Sequence, residues 1–114
     1  MYEFKLIVAG GRDFVDAYLL SQEINKLSFT TYADKEVSIV SGMARGADSL
    51  AHRFAKTNGI VVYEMPADWG THGKRAGFMR NERMAHFSDG LLAFWDGYSK
   101  GTAHMIDYMR SINK

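Results

Sequence analysis

The sequence contains no cysteine and a single proline, Pro66. Without cysteine there is no disulfide, no thiolate metal site and no cysteine nucleophile. Excess charge is also missing: 14 Lys and Arg against 13 Asp and Glu leave a formal net charge of +1. That balance gives no general attraction for polyanions and disfavours bulk coating of nucleic acid, although it is compatible with a local basic patch. No apolar run reaches transmembrane length. The opening "MYEFKLIVAGG" interrupts a short apolar run with an acidic residue, unlike the charged-then-apolar plan of a secretory signal. A cytoplasmic protein with no membrane partner is the expectation. The four histidines, His52, His72, His86 and His104, show neither H-x-x-x-H spacing nor a local carboxylate partner. No metal and no cofactor is expected.

What is present fits a folding chain. With 46% hydrophobic and 24% charged residues over 114 positions, one domain spanning residues 1–114 is expected. "FKLIVAG", Phe4 to Gly10, is rich in β-formers and ends on a glycine pair, as a buried parallel strand does. Leu20, Ile24 and Leu27 then recur at i, i+4, i+7, which predicts a helix with one buried stripe. "EVSIVSG" predicts a second strand, and Ala47, Leu50, Ala51, Phe54 and Ala55 predict a second helix stopped by Asn58 and Gly59. "IVVYEM" reads as the third strand, ended by Pro66, and a polar stretch "ADWGTHGKRAG" leads to a helix over Phe78 to Phe87. "GLLAFW" is the fourth strand, and Thr102 to Ile112 the last helix, its Met105 and Met109 filling core. Strand and helix alternate throughout. The prediction is a small α/β, Rossmann-like three-layer fold with a parallel sheet.

In such sheets ligands bind beyond the carboxyl ends of the strands. Those ends carry "GGRDF", "SGMARG", "PADWG" and "DGYSKGT". In "SGMARGAD", Gly42 and Gly46 permit positive φ and close approach of backbone N–H groups at a helix start, which suits a phosphate or carboxylate, and Arg45 adds a bidentate donor. The same glycines serve equally well in a bare turn around a solvated arginine. In "YSKGT", Ser99, Gly101 and Thr102 stand at another helix start, able to cap N–H groups or donate to phosphate. Neither loop has Walker spacing, and "GGRDF" fails the G-x-G-x-x-G fingerprint, so ATPase and NAD dehydrogenase readings lose support. Lys74, Arg75, Arg80 and Arg83 surround an aromatic and two glycines; Arg80 and Arg83, at i, i+3, also fit solvated charge on one helical face. Trp69 either stacks on a base or fills the sheet edge. Asp16 and Asp48 read as helix N-caps, leaving Asp68 and Asp96 as acid or base candidates.

Together these four motifs resemble the Smf/DprA-like and LOG-like superfamily, SLOG, and within it the small YspA-like proteins. "GGRDF" looks like the first phosphate-side loop, "SGMARGADSLAH" is similar to the S-G-x-A-R-G-x-D turn of DprA proteins, "MRNERM" resembles their R-N-R segment, and "DGLLAFWDGYSKGT" resembles the strand and glycine loop before the last helix. The resemblance implies a nucleotide-derived small molecule, ADP-ribose-like or a signalling nucleotide. It sets phosphates against Gly10, Gly11, Gly42, Gly101 and Thr102, with contacts from Arg12, Arg45, Arg80 and Asn81; Ser41, Gly46, Trp69, Lys74 and Ser99, from the same loops, complete the expected ligand-binding set. It also implies a homo-oligomer. In LOG-like enzymes, which hydrolyse the N-glycosidic bond of nucleoside monophosphates, Arg80 would match the catalytic arginine. The glutamate of their P-G-G-x-G-T loop has no counterpart, since Ala103, His104 and Met105 follow Thr102; Asp96 or Asp107 is the substitute that reading requires. The DprA-like branch implies single-stranded DNA bound along "KRAGFMRNER", but no aromatic ladder accompanies those residues. A sensor or sequestering protein for a small nucleotide is the leading expectation, with the phosphoribohydrolase and then DNA binding behind it.

Overall fold

The computed structural model describes residues 2–114. Its strands are β1 (Tyr2–Gly10), β2 (Lys35–Ser41), β3 (Val62–Glu64) and β4 (Gly90–Phe94), all parallel, in the order β3-β2-β1-β4. Its helices are α1 (Ala17–Phe29), α2 (Ala47–Thr57), α3 (Trp69–His72), α4 (Ala76–Phe87) and α5 (Lys100–Ser111), with a single 3-10 turn at Gly73–Arg75. This is the small Rossmann-like α/β fold anticipated from the alternation of elements.

The period of two in β1 builds the two halves of the core. Phe4, Leu6 and Val8 face α1 and α2, where Leu20, Ile24, Ala51 and Ala55 meet them. Ile7 and Ala9 point the other way, against Met84 and Ala85 of α4 and Met105 and Met109 of α5. The central strand is therefore buried on both faces, which is why it reads as an almost unbroken apolar run. β1, β2 and β3 are laid down outward in sequence, and the chain then crosses back to set β4 on the other side of β1. The strand order reverses between β1 and β4, and a crevice opens there.

Boundaries differ from the sequence reading in places that matter for the site. The third strand keeps only Val62–Glu64 because it lies on the sheet edge with β2 as its one neighbour, although Met65 N–H still reaches the Ser41 carbonyl at 2.8 Å. The polar stretch after it is not a plain loop. Asp68 accepts the Thr71 N–H at 3.1 Å and starts α3, and the 3-10 turn then feeds α4 two residues earlier than Phe78. α5 likewise begins at Lys100 rather than Thr102.

Candidate functional site

The four loops at the carboxyl ends of the strands enclose a cavity of about 850 Å³. This lies within the range of roughly 300–1,000 Å³ that small-molecule sites occupy. Each loop is fastened by bonds its own sequence supplies. After β1, Phe14 N–H closes a turn on the Gly11 carbonyl at 3.2 Å, and the Phe14 ring packs on Phe94 of β4 at 4.7 Å. Arg12 is left exposed on the cavity wall.

The loop after β2 is tied more tightly. Buried Ser41 accepts the Met43 N–H at 3.1 Å and donates to the Asp48 carbonyl at 3.1 Å, while Ser49 donates to the Ala44 carbonyl at 2.7 Å. Met43 is thereby held at φ +62°, a left-handed conformation that a non-glycine residue adopts only at a cost. Gly46 precedes α2 at φ +81°, and a β-carbon there would lie 2.1 Å from the Gly11 carbonyl oxygen. Only glycine lets the first and second loops cross so closely.

α4 joins this loop to the fourth. Arg80 donates through Nη1 to the Gly42 carbonyl at 2.5 Å and through Nε to Asn81 Oδ1 at 3.0 Å; Asn81 Nδ2 donates in turn to the Gly101 carbonyl at 3.1 Å. In the fourth loop Asp96 Oδ1 accepts the N–H groups of Tyr98 (2.8 Å) and Ser99 (2.9 Å), which hold its carboxyl below the usual range. The Ser99 and Thr102 hydroxyls pair at 3.1 Å at the start of α5.

Beneath these loops lies Asp48. The second residue of α2, it is 6% exposed, and its desolvated carboxyl is raised to about 6 despite the opposing pull of Arg80 and the N–H groups of Ala44 and Gly42. Burial in turn lowers the pKa of Arg80, and the Asp48 charge opposes that fall.

Measured against expectation, the residues expected to bind ligand all line the cavity except Ser41 and Gly46, as does Asp96, whereas Asp68, Arg75, Arg83 and Asp107 do not. Ser41 and Gly46 act from behind it: the serine spends its hydroxyl inside the turn, and the glycine permits the loop crossing. Four readings are corrected. Asp48 is no N-cap, since Gly46 takes that position and Asp48 faces inward. Asp68 caps α3, its carboxyl lowered chiefly by its hydrogen bonds with Thr71, and does not line the cavity. Arg80 is half-buried and bonded rather than a solvated partner to the exposed Arg83. His52 and His104 do have carboxylate neighbours, Glu64 at 2.5 Å and Glu82 at 3.8 Å, which tertiary packing supplies to His52 from β3.

The sequence reading also missed cavity residues. Phe78 and Tyr98 add aromatic surface, Lys100 a cation and Met43 a strained backbone. Asp48 had left a trace: with Ala51 and Ala55 it falls at i, i+3, i+7, a carboxylate on the buried stripe of its helix. In all, five cationic side chains (Arg12, Arg45, Lys74, Arg80, Lys100) and three acidic ones (Asp13, Asp48, Asp96) line the cavity, an excess suited to an anion.

Comparison with known proteins identifies the family. The model of the YspA, cpYpsA-related SLOG family (YAcAr) matches residues 4–72, from β1 through α3. The chain belongs to this SLOG family. The match takes in the first three loops of the cavity, while Lys74, Arg80 and the fourth loop lie beyond it. The Gene 61 protein of Mycobacterium phage D29 is 46% identical in an alignment of 74 positions that covers 60% of this chain and 59% of that protein. The chain thus spans less than two thirds of that relative's length. No solved structure matches it.

Proposed function

We propose that this protein is a cytoplasmic sensor or sequestering protein that binds a small nucleotide or nucleotide derivative in the cavity between β1 and β4. One observation carries the reading: glycine turns, the starts of α2 and α5, and the exposed cations Arg12, Arg45, Lys74 and Lys100 converge on a single crevice whose rim also bears exposed Trp69, Phe78 and Tyr98. Backbone N–H groups and arginines suit phosphate oxygens, and an aromatic rim suits a base. Membership of the SLOG family supports the same class of ligand. Among the described residues no helix is long and apolar enough to cross a membrane.

Native mass spectrometry of freshly purified protein, with denaturation and identification of whatever is released, tests this directly. A retained nucleotide-like mass, or saturable binding of a member of a nucleotide panel that is recovered intact, is the expected result. Absence of binding across the panel would overturn it. The same spectra report the oligomeric state, for which a homo-oligomer is our proposal.

A second reading, cleavage of a nucleoside monophosphate at its N-glycosidic bond, is favoured by Asp48 alone, a cavity carboxyl whose raised pKa brings its protonation near neutrality. Asp96 is tied to two N–H groups and held ionised, and Asp107 does not line the cavity. Release of free base from a panel member would make the protein a hydrolase.

A further inference from the structure

Asp48 occupies an unusual position in this cavity. Its carboxylate draws on Arg80 and on the N–H groups of Gly42 and Ala44, all of which belong to the anion-binding wall. At Gly42 the crowding is direct: a β-carbon there would lie 2.6 Å from Arg80 Nη1 and 2.8 Å from Asp48 Oδ2, so guanidinium and carboxylate converge on one side of the loop. An anion arriving over this loop meets donors that already serve an internal negative charge.

We propose that Asp48 is a built-in competitor for the anion site, so that an anionic ligand binds with uptake of a proton by this carboxylate. The inference rests on reading the cavity as a nucleotide site. Two negative charges sharing one set of donors in a poorly solvated place repel strongly, and the group able to neutralise itself does so. Asp48 is that group, because burial already disfavours its ionised form. Its surroundings are Arg80 on α4, on whose guanidinium Arg83 and Arg12 also act, and Arg45 on its own turn. Across the cavity stand Asp96 and Lys100 of the fourth loop, with Asp13 and Lys74 on the remaining walls. The Asp96 carboxyl is already held low by its N–H bonds. His104 hydrogen-bonds Asn81 at 3.3 Å and packs on Phe78, and a variant of Asp48 separates its contribution from that of Asp48.

The test measures affinity for two probes, sulfate and ADP-ribose, between about pH 5 and 7.5, a range in which neither probe itself changes charge. Calorimetry in buffers of different ionisation enthalpy counts the protons taken up. For the wild type, affinity should rise about three- to tenfold as pH falls across this range, with net proton uptake, since one coupled proton changes affinity by at most tenfold per pH unit. Asp48→Asn should bind both probes more tightly at pH 7.5 and lose the pH dependence. Should that variant fail to fold, carbon-13 titration of the wild-type Asp48 carboxyl decides, its midpoint moving upward when sulfate is added. Binding of ADP-ribose with no proton uptake, or with a pH dependence that survives in Asp48→Asn, overturns the inference and leaves the nucleotide reading standing. Proton-linked sulfate binding with no preference for ADP-ribose or any member of the nucleotide panel supports the inference and removes the nucleotide reading. No binding of either probe at any pH overturns the inference, and failure of the whole panel overturns the nucleotide reading with it.

Discussion

Arg45 and Arg80 line the same cavity, yet different forces act on them. Arg45 is exposed, and among the described residues no hydrogen bond or salt bridge holds its side chain. Removing it costs the fold little, so Arg45→Ala should weaken ligand binding by about 1.5–3 kcal/mol, the scale of a hydrogen bond to a charged group, at unchanged melting temperature. Arg80 is committed to the Gly42 carbonyl, to Asn81 and to the buried charge of Asp48. Arg80→Ala strands that charge, and although Asp48 can take a proton in response, a loss of about 3 kcal/mol of stability is expected. Urea unfolding of the two variants side by side checks the contrast; equal stability would show that Arg80 does not brace the loop. The catalytic role expected of Arg80 from family resemblance therefore has to be separated from its structural one. A fall in activity in Arg80→Ala means little until its folding has been measured.

At the scale of elements, the site depends on loops held against one another. The first and second loops cross at Gly46, α4 carries Arg80 and Asn81 to the second and fourth loops, and Asp96 shapes the turn into α5. Gly46→Ala brings a β-carbon onto the Gly11 carbonyl and adds a side chain at φ +81°, two penalties with no local relief. A loss of more than about 2 kcal/mol is expected in chemical denaturation, together with loss of ligand binding, because the loops must part to admit it. An alanine tolerated at full stability would mean that the loops separate freely. The short α3 and the 3-10 turn after it belong to the same scale. They bring Trp69 over Gly77, whose added β-carbon would lie 3.3 Å from the ring, and thus set one aromatic wall beside the cavity.

For the whole molecule, the titrating groups predict how stability follows pH. Folding raises the Asp48 pKa from 3.8 to about 6, so the folded state holds this proton more tightly. The resulting stabilisation is complete below the unfolded value and is lost as pH rises through about 6, a change of up to about 3 kcal/mol. Glu3, Asp68 and Asp96 act in the opposite sense. Their pKa values are lowered mainly by hydrogen bonds, from Ser38 and Tyr63, from Thr71, and from Ser99 and Tyr98 respectively, and their contribution disappears as the medium becomes acidic enough to protonate them. Stability should therefore be greater in mildly acidic than in neutral solution. Urea midpoints at pH 5, 6 and 7 measure this, and in Asp48→Asn the decline from pH 5 to 7 should vanish. A wild type equally stable at pH 5 and 7 would show that Asp48 is better solvated than its burial implies.

The sequence by itself determined the architecture, because the physics involved is local and periodic. Alternating apolar residues in β1, the stripe of Leu20 and Ile24, and glycines at strand ends each report their own element, and alternating elements leave a parallel sheet as the economical way to bury them. The rim of loops followed from that topology, which is why most of the cavity wall was legible. Tertiary structure decided what the charges do. Whether Arg80 meets water or the Gly42 carbonyl, and whether Asp48 caps a helix or lies beneath a loop, depends on packing between segments more than thirty residues apart in sequence. The local pattern marks Asp48 only as a carboxylate on a buried stripe, and records neither its partner nor that of Arg80. The strained Met43 and the loop crossing at Gly46 are of the same kind, since a backbone conformation held by distant neighbours leaves only a glycine, or nothing at all, in the sequence.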